Sequence, residues 1–349
     1  MEDNSVVTFG AANPVRALLP LVGNTPLLRV EFHTGAGQRG HIFAKYEALN
    51  FTGSVKDRMA AAILGEAYDT GELQPGYEIV EASSGNTAIA IAAMGAALHH
   101  PVRIFMPNWM SQERKAILRS FGATLREVTP TEGGFVGSIA LAEAYAEAHQ
   151  NTFLPRQFAN VANTRAHAEG TGREILAQLA SRGLGIDAFV AGVGTGGTVM
   201  GVGQALRQVF PCARIHPIQP AESPVLTTRR KTGHHRIQGI SDEFIPALVN
   251  LSALSEPLDV ADGDAILMAQ KLAKELGLGV GISSGANVIA AIRTAETLPT
   301  GATVVTILCD SNKKYLSTDL FQHEPVKDGY LSPQVTFERF DSLPMPHSE

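Results

Sequence analysis

Three clusters of glycine and hydroxyl residues, and one lysine, carry the side-chain types that chemistry requires in this 349-residue chain. The first cluster, Gly192-Val193-Gly194-Thr195-Gly196-Gly197-Thr198, follows an apolar run and opens a helical pattern. Glycines let backbone amides approach a ligand, a helix N-terminus favours an anion, and the two threonines add hydroxyls. Gly194, Thr195, Gly196, Gly197 and Thr198 therefore make a phosphate cradle. The stretch also reads GxGxxG, and Glu222 stands 25 residues after Gly197, where a dinucleotide site needs its ribose carboxylate. On this loop alone NAD is an equal candidate, and a glycine-rich turn that binds nothing is the plain alternative to both.

The second cluster, Ser83-Ser84-Gly85-Asn86-Thr87, stands at another strand-to-helix junction. Helix capping explains one hydroxyl or amide, not four polar groups around a glycine, so the spacing points to a small anion such as a carboxylate. The third, Gly281-Ile282-Ser283-Ser284-Gly285-Ala286-Asn287, precedes a helical pattern at 288–298 and by itself is a capped helix start. Lys56, in Gly53-Ser54-Val55-Lys56-Asp57-Arg58, sits where a loop enters an Ala-rich helix. A helix N-terminus and desolvation both disfavour the charged amine there, which makes it available as nucleophile or base. Taken singly it reads as a surface lysine.

Other reactive residue types form no such pattern. Asp242-Glu243 is a carboxylate pair in a glycine- and proline-bearing loop, a general base or a solvated turn. His99-His100 and His234-His235 read as solvated loop histidines, because helix neighbours do not share a face and no HExxH accompanies them; no metal site is expected. Cys212 and Cys309 lie far apart, outside any CxxC spacing, and read as buried small hydrophobes.

The elements that must position these residues alternate along the chain. Strand patterns at 78–82, 102–106, 188–192, 215–219 and 303–308 interleave with helical patterns at 87–98, 111–121, 198–209 and 262–276, the last stopped by Gly277. That alternation predicts an α/β fold built of βαβ units on parallel sheet. Loop-like stretches at 49–54 and 155–163 predict a smaller domain at 50–160, inserted in a larger one formed by 15–49 and 161–320. Residues 321–349 read as a tail or surface strap. A formal net charge of −6 leaves no electrostatic footprint for nucleic acid. The longest apolar stretch is shorter than the roughly 20 residues a membrane span needs. The start of the sequence lacks a signal-peptide pattern, so a cytoplasmic protein is expected.

Taken together, these motifs resemble a family. In order they are Gly23-Asn24-Thr25-Pro26-Leu27, Lys45-Tyr46-Glu47, the Lys56 segment, Ser84-Gly85-Asn86-Thr87 and Asn108-Trp109-Met110-Ser111-Gln112-Glu113-Arg114. Then come Gln157-Phe158-Ala159-Asn160, the glycine loop, Ser283-Ser284-Gly285-Ala286 and Tyr315-Leu316-Ser317-Thr318. The chain is similar to the pyridoxal-phosphate enzymes of the tryptophan-synthase-β fold (fold type II), and within them to cysteine synthase (O-acetylserine sulfhydrylase) and its cystathionine β-synthase relatives. The resemblance implies that Lys56 holds pyridoxal 5'-phosphate as a Schiff base and moves the α-proton. It implies that Asn86 bonds the pyridine oxygen, the loop from Gly194 to Thr198 the phosphate, and Ser283 the pyridine nitrogen. Ser83, Ser84, Asn86, Thr87 and Gln157 would take the substrate carboxylate. The implied reaction is β-replacement on O-acetylserine or another activated serine by sulfide or a thiol. A cystathionine- or lanthionine-type synthase, or a cysteine desulfhydrase, is the alternative within the same chemistry. An NAD-dependent dehydrogenase or a catalytically silent binding subunit is the alternative outside it. A homodimer, and a serine acetyltransferase-type partner, follow by analogy only.

Three positions depart from the family pattern. Phe51 stands for a usual proline and Ala88 for a usual glycine. Ser241-Asp242-Glu243 stands where cysteine synthases have small neutral residues. Carboxylates at Asp242 and Glu243 would repel anionic sulfide and welcome the amino group of a larger thiol amino acid, which makes both candidate substrate-binding residues.

Overall fold

The computed structural model describes residues 9–346 except 11, 36, 84 and 242. The chain begins with a 3-10 turn (Pro14–Leu21) capped by Asn13, then an antiparallel pair, β1 (Leu27–Thr34) and β2 (Arg39–Tyr46). It next runs through α1 (Lys56–Thr70), β3 (Glu78–Ala82), α2 (Asn86–Ala97), β4 (Val102–Pro107), α3 (Gln112–Ser120), β5 (Thr124–Val128), α4 (Gly134–Ala148) and β6 (Thr152–Phe153). These four strands form one all-parallel sheet in the order β5-β4-β3-β6. After α5 (Val161–Ala166), a π-helical turn (His167–Gly172) and α6 (Arg173–Ala180), the chain returns to the first sheet. It adds β7 (Ala188–Gly192), α7 (Gly197–Val209), β8 (Arg214–Pro220), α8 (Val225–Thr228), β9 (Leu258–Val260), α9 (Asp262–Leu276), α10 (Ile282–Glu296), β10 (Val304–Leu308) and β11 (Val335–Leu343). The seven-stranded sheet runs β11-β1-β2-β10-β7-β8-β9, parallel from β2 to β9 and antiparallel at β1 and β11.

Both sheets are covered by helices on two faces, which is why their parallel strands are apolar runs rather than alternating ones. Val304 to Leu308 are all buried, as are Ala188 to Ala191. The α/β architecture expected from the sequence, with parallel sheets flanked by helices, is the one observed.

Several expectations are corrected. Residues 321–349 are not merely a surface strap. β11 pairs along the whole of β1 and buries Val335, Phe337 and Leu343, while its outward residues stay exposed. The 3-10 turn, expected with the larger sheet, places Val15 and Leu18 in the core of the four-stranded one beside Met59, Ile63 and Ile79. The third glycine cluster lies inside α10 rather than ahead of it. A Cβ at Gly285 would lie 2.1 Å from the Ala265 carbonyl oxygen, so the glycine is what lets α9 and α10 touch. His100 is buried, bonded to Tyr68 and to the Tyr77 carbonyl, and Cys212 is exposed.

Candidate active site

Lys56 opens α1 at the edge of a cavity of about 750 Å³ that lies between the two sheets. Its approach is a turn through Gly53, whose φ of +82° suits glycine, and the turn is tied by the Asp57 carboxylate. That carboxylate accepts from Thr52 N (2.9 Å), Thr52 Oγ1 (2.6 Å) and Ser54 N (3.2 Å). In the same first turn, Arg58 anchors the foot of the helix. It donates to Glu47 and Glu174 in a buried network that also takes in Lys45 Nζ, 2.7 Å from Glu174 Oε2. Thr25 Oγ1 donates to Glu47, and the Asn24 amide to Glu174. The motifs Gly23-Asn24-Thr25, Lys45-Tyr46-Glu47 and Arg58 thus converge on one ion cluster beneath Lys56.

The glycine loop leaves β7 and enters α7 without a side-chain cap. A Cβ at Gly194 would come within 2.4 Å of the Gly239 carbonyl oxygen, at Gly196 within 2.3 Å of Val249 and at Gly197 within 1.9 Å of Asn163 Oδ1. Gly196 also has a φ of +86°. Gly194, Thr195 and Thr198 line the cavity, and Gly196 and Gly197 complete the turn behind them. Thr195 Oγ1 accepts from Asn163 Nδ2 at 2.9 Å, and Asn163 Oδ1 is buried without a hydrogen-bond partner. Amides and hydroxyls with no carboxylate among them fit a phosphate ester.

His167, which sequence reasoning missed, faces this loop: its Nε2 lies 3.2 Å from Thr198 Oγ1 and its Nδ1 3.0 Å from Thr171 Oγ1. Burial holds its pKa well below the usual histidine value, helped by the charges of Arg58 and Lys56, so the ring is neutral. The π turn that carries His167 packs tightly on α7, a local geometry that no spacing rule reveals. Glu222, the candidate ribose carboxylate, does not line the cavity and accepts instead from the Asp262 amide.

Opposite Lys56, the Asn86 amide is oriented by charged partners. Its Oδ1 accepts from Lys314 Nζ (2.8 Å) and its Nδ2 donates to Asp310 Oδ2 (2.6 Å), which leaves one N–H for a ligand. Ser283 lines the cavity together with Cys309, whose thiol accepts from Asn287 Nδ2 at 3.4 Å and whose pKa burial pushes up to about 11. The pair is neutral at physiological pH, as suits a weakly basic ring nitrogen. At the far end Ser83 Oγ accepts from the Gly85 and Ala88 amides, Thr87 Oγ1 donates to Gln157 Oε1 (2.7 Å), and Gln157 Nε2 donates to the Ala82 carbonyl (2.9 Å). Glu243 reaches the rim, exposed and 2.6 Å from Lys231 Nζ, so its charge is not free to repel an anion. Ser84 and Asp242 lie outside the described residues.

The cavity thus gathers Lys56, Asn86, Ser83, Thr87, Gln157, Ser283 and the glycine loop, an amine with amide- and hydroxyl-rich polar ends. Residues 18–310 match the family model described as pyridoxal-phosphate dependent enzyme. The chain belongs to that family. It is 40% identical over 301 residues to a probable cysteine synthase of Bacillus subtilis, covering 86% of this chain and 96% of that one. It is 40% identical over 314 residues to the cysteine synthase of Staphylococcus aureus, covering 90% and 99%. Among solved structures, the hydrogen sulfide-producing enzyme of Fusobacterium nucleatum is 51% identical, with a TM-score of 0.92 over 95% of this chain and 98% of that one. The cysteine synthase of Entamoeba histolytica is 35% identical, with a TM-score of 0.79 over 94% and 95%. The protein is therefore a cysteine-synthase-like enzyme that uses pyridoxal phosphate, and the dehydrogenase reading of GxGxxG is set aside. When bound, pyridoxal phosphate supplies an electron sink that acidifies the α-proton of an amino acid and lets a β-substituent depart. Among the described residues no helix is long and apolar enough to cross a membrane.

Proposed function

We propose that the enzyme carries out β-replacement on an activated serine, O-acetylserine or similar, with sulfide or a thiol as the incoming group. The observation that carries this reading is the placement of Lys56, the Thr87–Gln157 pair and the glycine loop on one cavity. Lys56 would hold the cofactor covalently and would carry the α-proton of a bound amino acid. Asn86, fixed by Lys314 and Asp310, would donate its remaining N–H to the pyridine oxygen, and Ser283 would bond the ring nitrogen. Gly194 to Thr198 would hold the phosphate. Ser83, Ser84, Asn86, Thr87 and Gln157 are assigned to the substrate carboxylate, and Asp242 and Glu243 to the choice of incoming group.

A change in the visible absorption of the purified enzyme on adding O-acetylserine, reversed by sulfide, is the expected outcome; an unmoved spectrum overturns the choice of donor. Lys56→Ala is expected to lower turnover by at least about 10³-fold, and no borohydride-trappable link should remain. A trappable link in that variant counts against Lys56.

The 51% identity to a hydrogen sulfide-producing enzyme favours a second reading, with cysteine as the donor and sulfide as the leaving group. Sulfide release from cysteine exceeding cysteine formation from O-acetylserine, by kcat/KM, decides for it. A cytoplasmic homodimer belongs to the same proposal; light scattering at the mass of one chain would remove the dimer.

A further inference from the structure

Glu81 is the buried charge the reaction scheme leaves unused. It lies on β3 just before the Ser83–Thr87 segment and is only 3% exposed. Its Oε1 accepts from the Ala82 amide at 2.8 Å and its Oε2 from the Gln157 amide at 3.3 Å. The side chain of the same Gln157 ties Thr87 to the Ala82 carbonyl. Glu81 therefore holds the backbone of a residue whose side chain forms part of the carboxylate cradle.

Among the described residues no cation is paired with this carboxyl. Four elements make the main contacts with β3, and the loop that carries Gln157 adds Arg156, which is exposed. From β4 the one charged residue is Arg103, which is committed to Glu78 and to the Tyr145 ring. From α4 come the acidic Glu143 and Glu147 and the phenol of Tyr145; the field of Glu143 reaches Glu81 and disfavours its ionisation. The segments α2 and β6 carry no ionisable side chain. Burial and the Glu143 charge raise the carboxyl to about 7, against which, among the described residues, the amides of Ala82 and Gln157 act.

We propose that Glu81 is a positioning residue that must take up a proton when a carboxylate settles on Thr87 and Gln157, coupling occupancy of the cradle to protonation of the strand beneath it. The inference rests on the reading of that end of the cavity as the carboxylate site. The proton comes from solvent and goes to Oε2, which makes the longer hydrogen bond. A second anion arriving beside an uncompensated buried carboxylate is unfavourable, and protonation removes the repulsion. Above the titration of Glu81 the proton must be acquired at binding, so affinity falls as pH rises.

The test uses the holoenzyme and propionate, a carboxylate with no amine to react with the cofactor. Trp109, the single tryptophan, lines the cavity and reports binding by fluorescence. The apparent Kd for propionate is expected to be flat near pH 6 and to rise by up to about tenfold per pH unit between 7.5 and 9. In Glu81→Gln it is expected to stay within about twofold over the same range. Wild-type binding at pH 7.5, followed by calorimetry in phosphate and in Tris, should show net proton uptake, a measurement that needs no variant. Thr87→Val separates the two readings. Loss of propionate binding in Thr87→Val with a pH-flat wild-type Kd overturns the role of Glu81 while keeping the site. Unchanged binding in Thr87→Val overturns the site and the inference with it. A pH slope that persists in Glu81→Gln assigns the proton to another group and also overturns the proposal.

Discussion

Two buried acidic sites flank the cavity, and they are built on opposite principles. Beneath Lys56, Glu47 and Glu174 are enclosed with Arg58 and Lys45, and the cations hold both carboxyls below the usual range despite their burial. On β3, Glu81 is equally enclosed but among the described residues is met by backbone amides alone, and its pKa is raised. The first arrangement keeps its carboxylates and the Arg58 guanidinium charged at every physiological pH and fixes the amine-bearing helix in one place. The second can change its charge near neutrality, at the end of the cavity proposed for the substrate carboxylate. The difference assigns rigidity to the helix that bears Lys56 and electrostatic adaptability to the proposed carboxylate cradle.

The largest expected effect comes from breaking the compensated cluster. Arg58→Met leaves Glu47 and Glu174 buried with Lys45 as their one remaining cation, and such a loss costs about 3–5 kcal/mol. The sign with pH follows from the lowered carboxyl values. Their stabilising contribution is complete above the unfolded value near 4.5 and is lost as pH falls through the folded values. The deficit of Arg58→Met in urea unfolding is therefore expected to be greatest at pH 7–8 and to shrink towards pH 4. A deficit independent of pH would assign the loss to packing instead.

Glu81→Gln sharpens the comparison from the other side and with a smaller effect. An acid whose folded value is raised binds more protons folded than unfolded, so the wild type loses stability as pH rises from about 4.5 to about 7. Glutamine escapes that loss, although its NH₂ faces an amide donor. The variant relative to wild type is expected to be roughly 2–3 kcal/mol more favourable at pH 8 than at pH 5, by urea midpoints at both values. An equal difference at the two pH values would mean that Glu81 does not titrate in this range.

How much of this was legible in the sequence depends on the range over which each signal acts. The glycine loop, Lys56 and the Ser83–Thr87 segment declare themselves within a few residues, because glycine geometry and helix termini are local. The parallel strands β3, β4, β7 and β10 are readable as short apolar runs for the same reason. β11 was not readable, since its partner β1 lies about 300 residues away and only the pairing shows that Val335 and Phe337 face inward. His167 and Asn163 were missed because a π turn and a buried amide reach the phosphate loop from a separate helix. Cys309 looked like a small apolar residue, yet it lines the cavity beside Ser283. The cluster around Arg58 shows the converse: its motifs were visible, and only their convergence revealed that most of them hold the helix rather than the ligand.

Lys45 supplies the finest test, because it belongs to the compensated cluster but contributes least to it. Its amine is fully buried, and desolvation outweighs the pull of Glu174 and Glu47, lowering it to about 8. Arg58 already gives both oxygens of Glu174 a hydrogen bond, so Lys45→Met leaves no carboxylate unpaired. What it orphans is Gln178 Oε1, which Lys45 Nζ meets at 2.8 Å. The expected cost at pH 7 is about 1 kcal/mol, well below that of Arg58→Met. A lysine with a lowered folded value sheds its proton before the unfolded chain does, so wild-type stability rises between about pH 8 and 10.5. The cost of Lys45→Met is therefore expected to be larger at pH 9.5 than at pH 7, as urea unfolding would measure. If Lys45→Met instead equals Arg58→Met at pH 7, the amine is a full electrostatic partner. The anchor beneath Lys56 would then depend on two cations rather than on one.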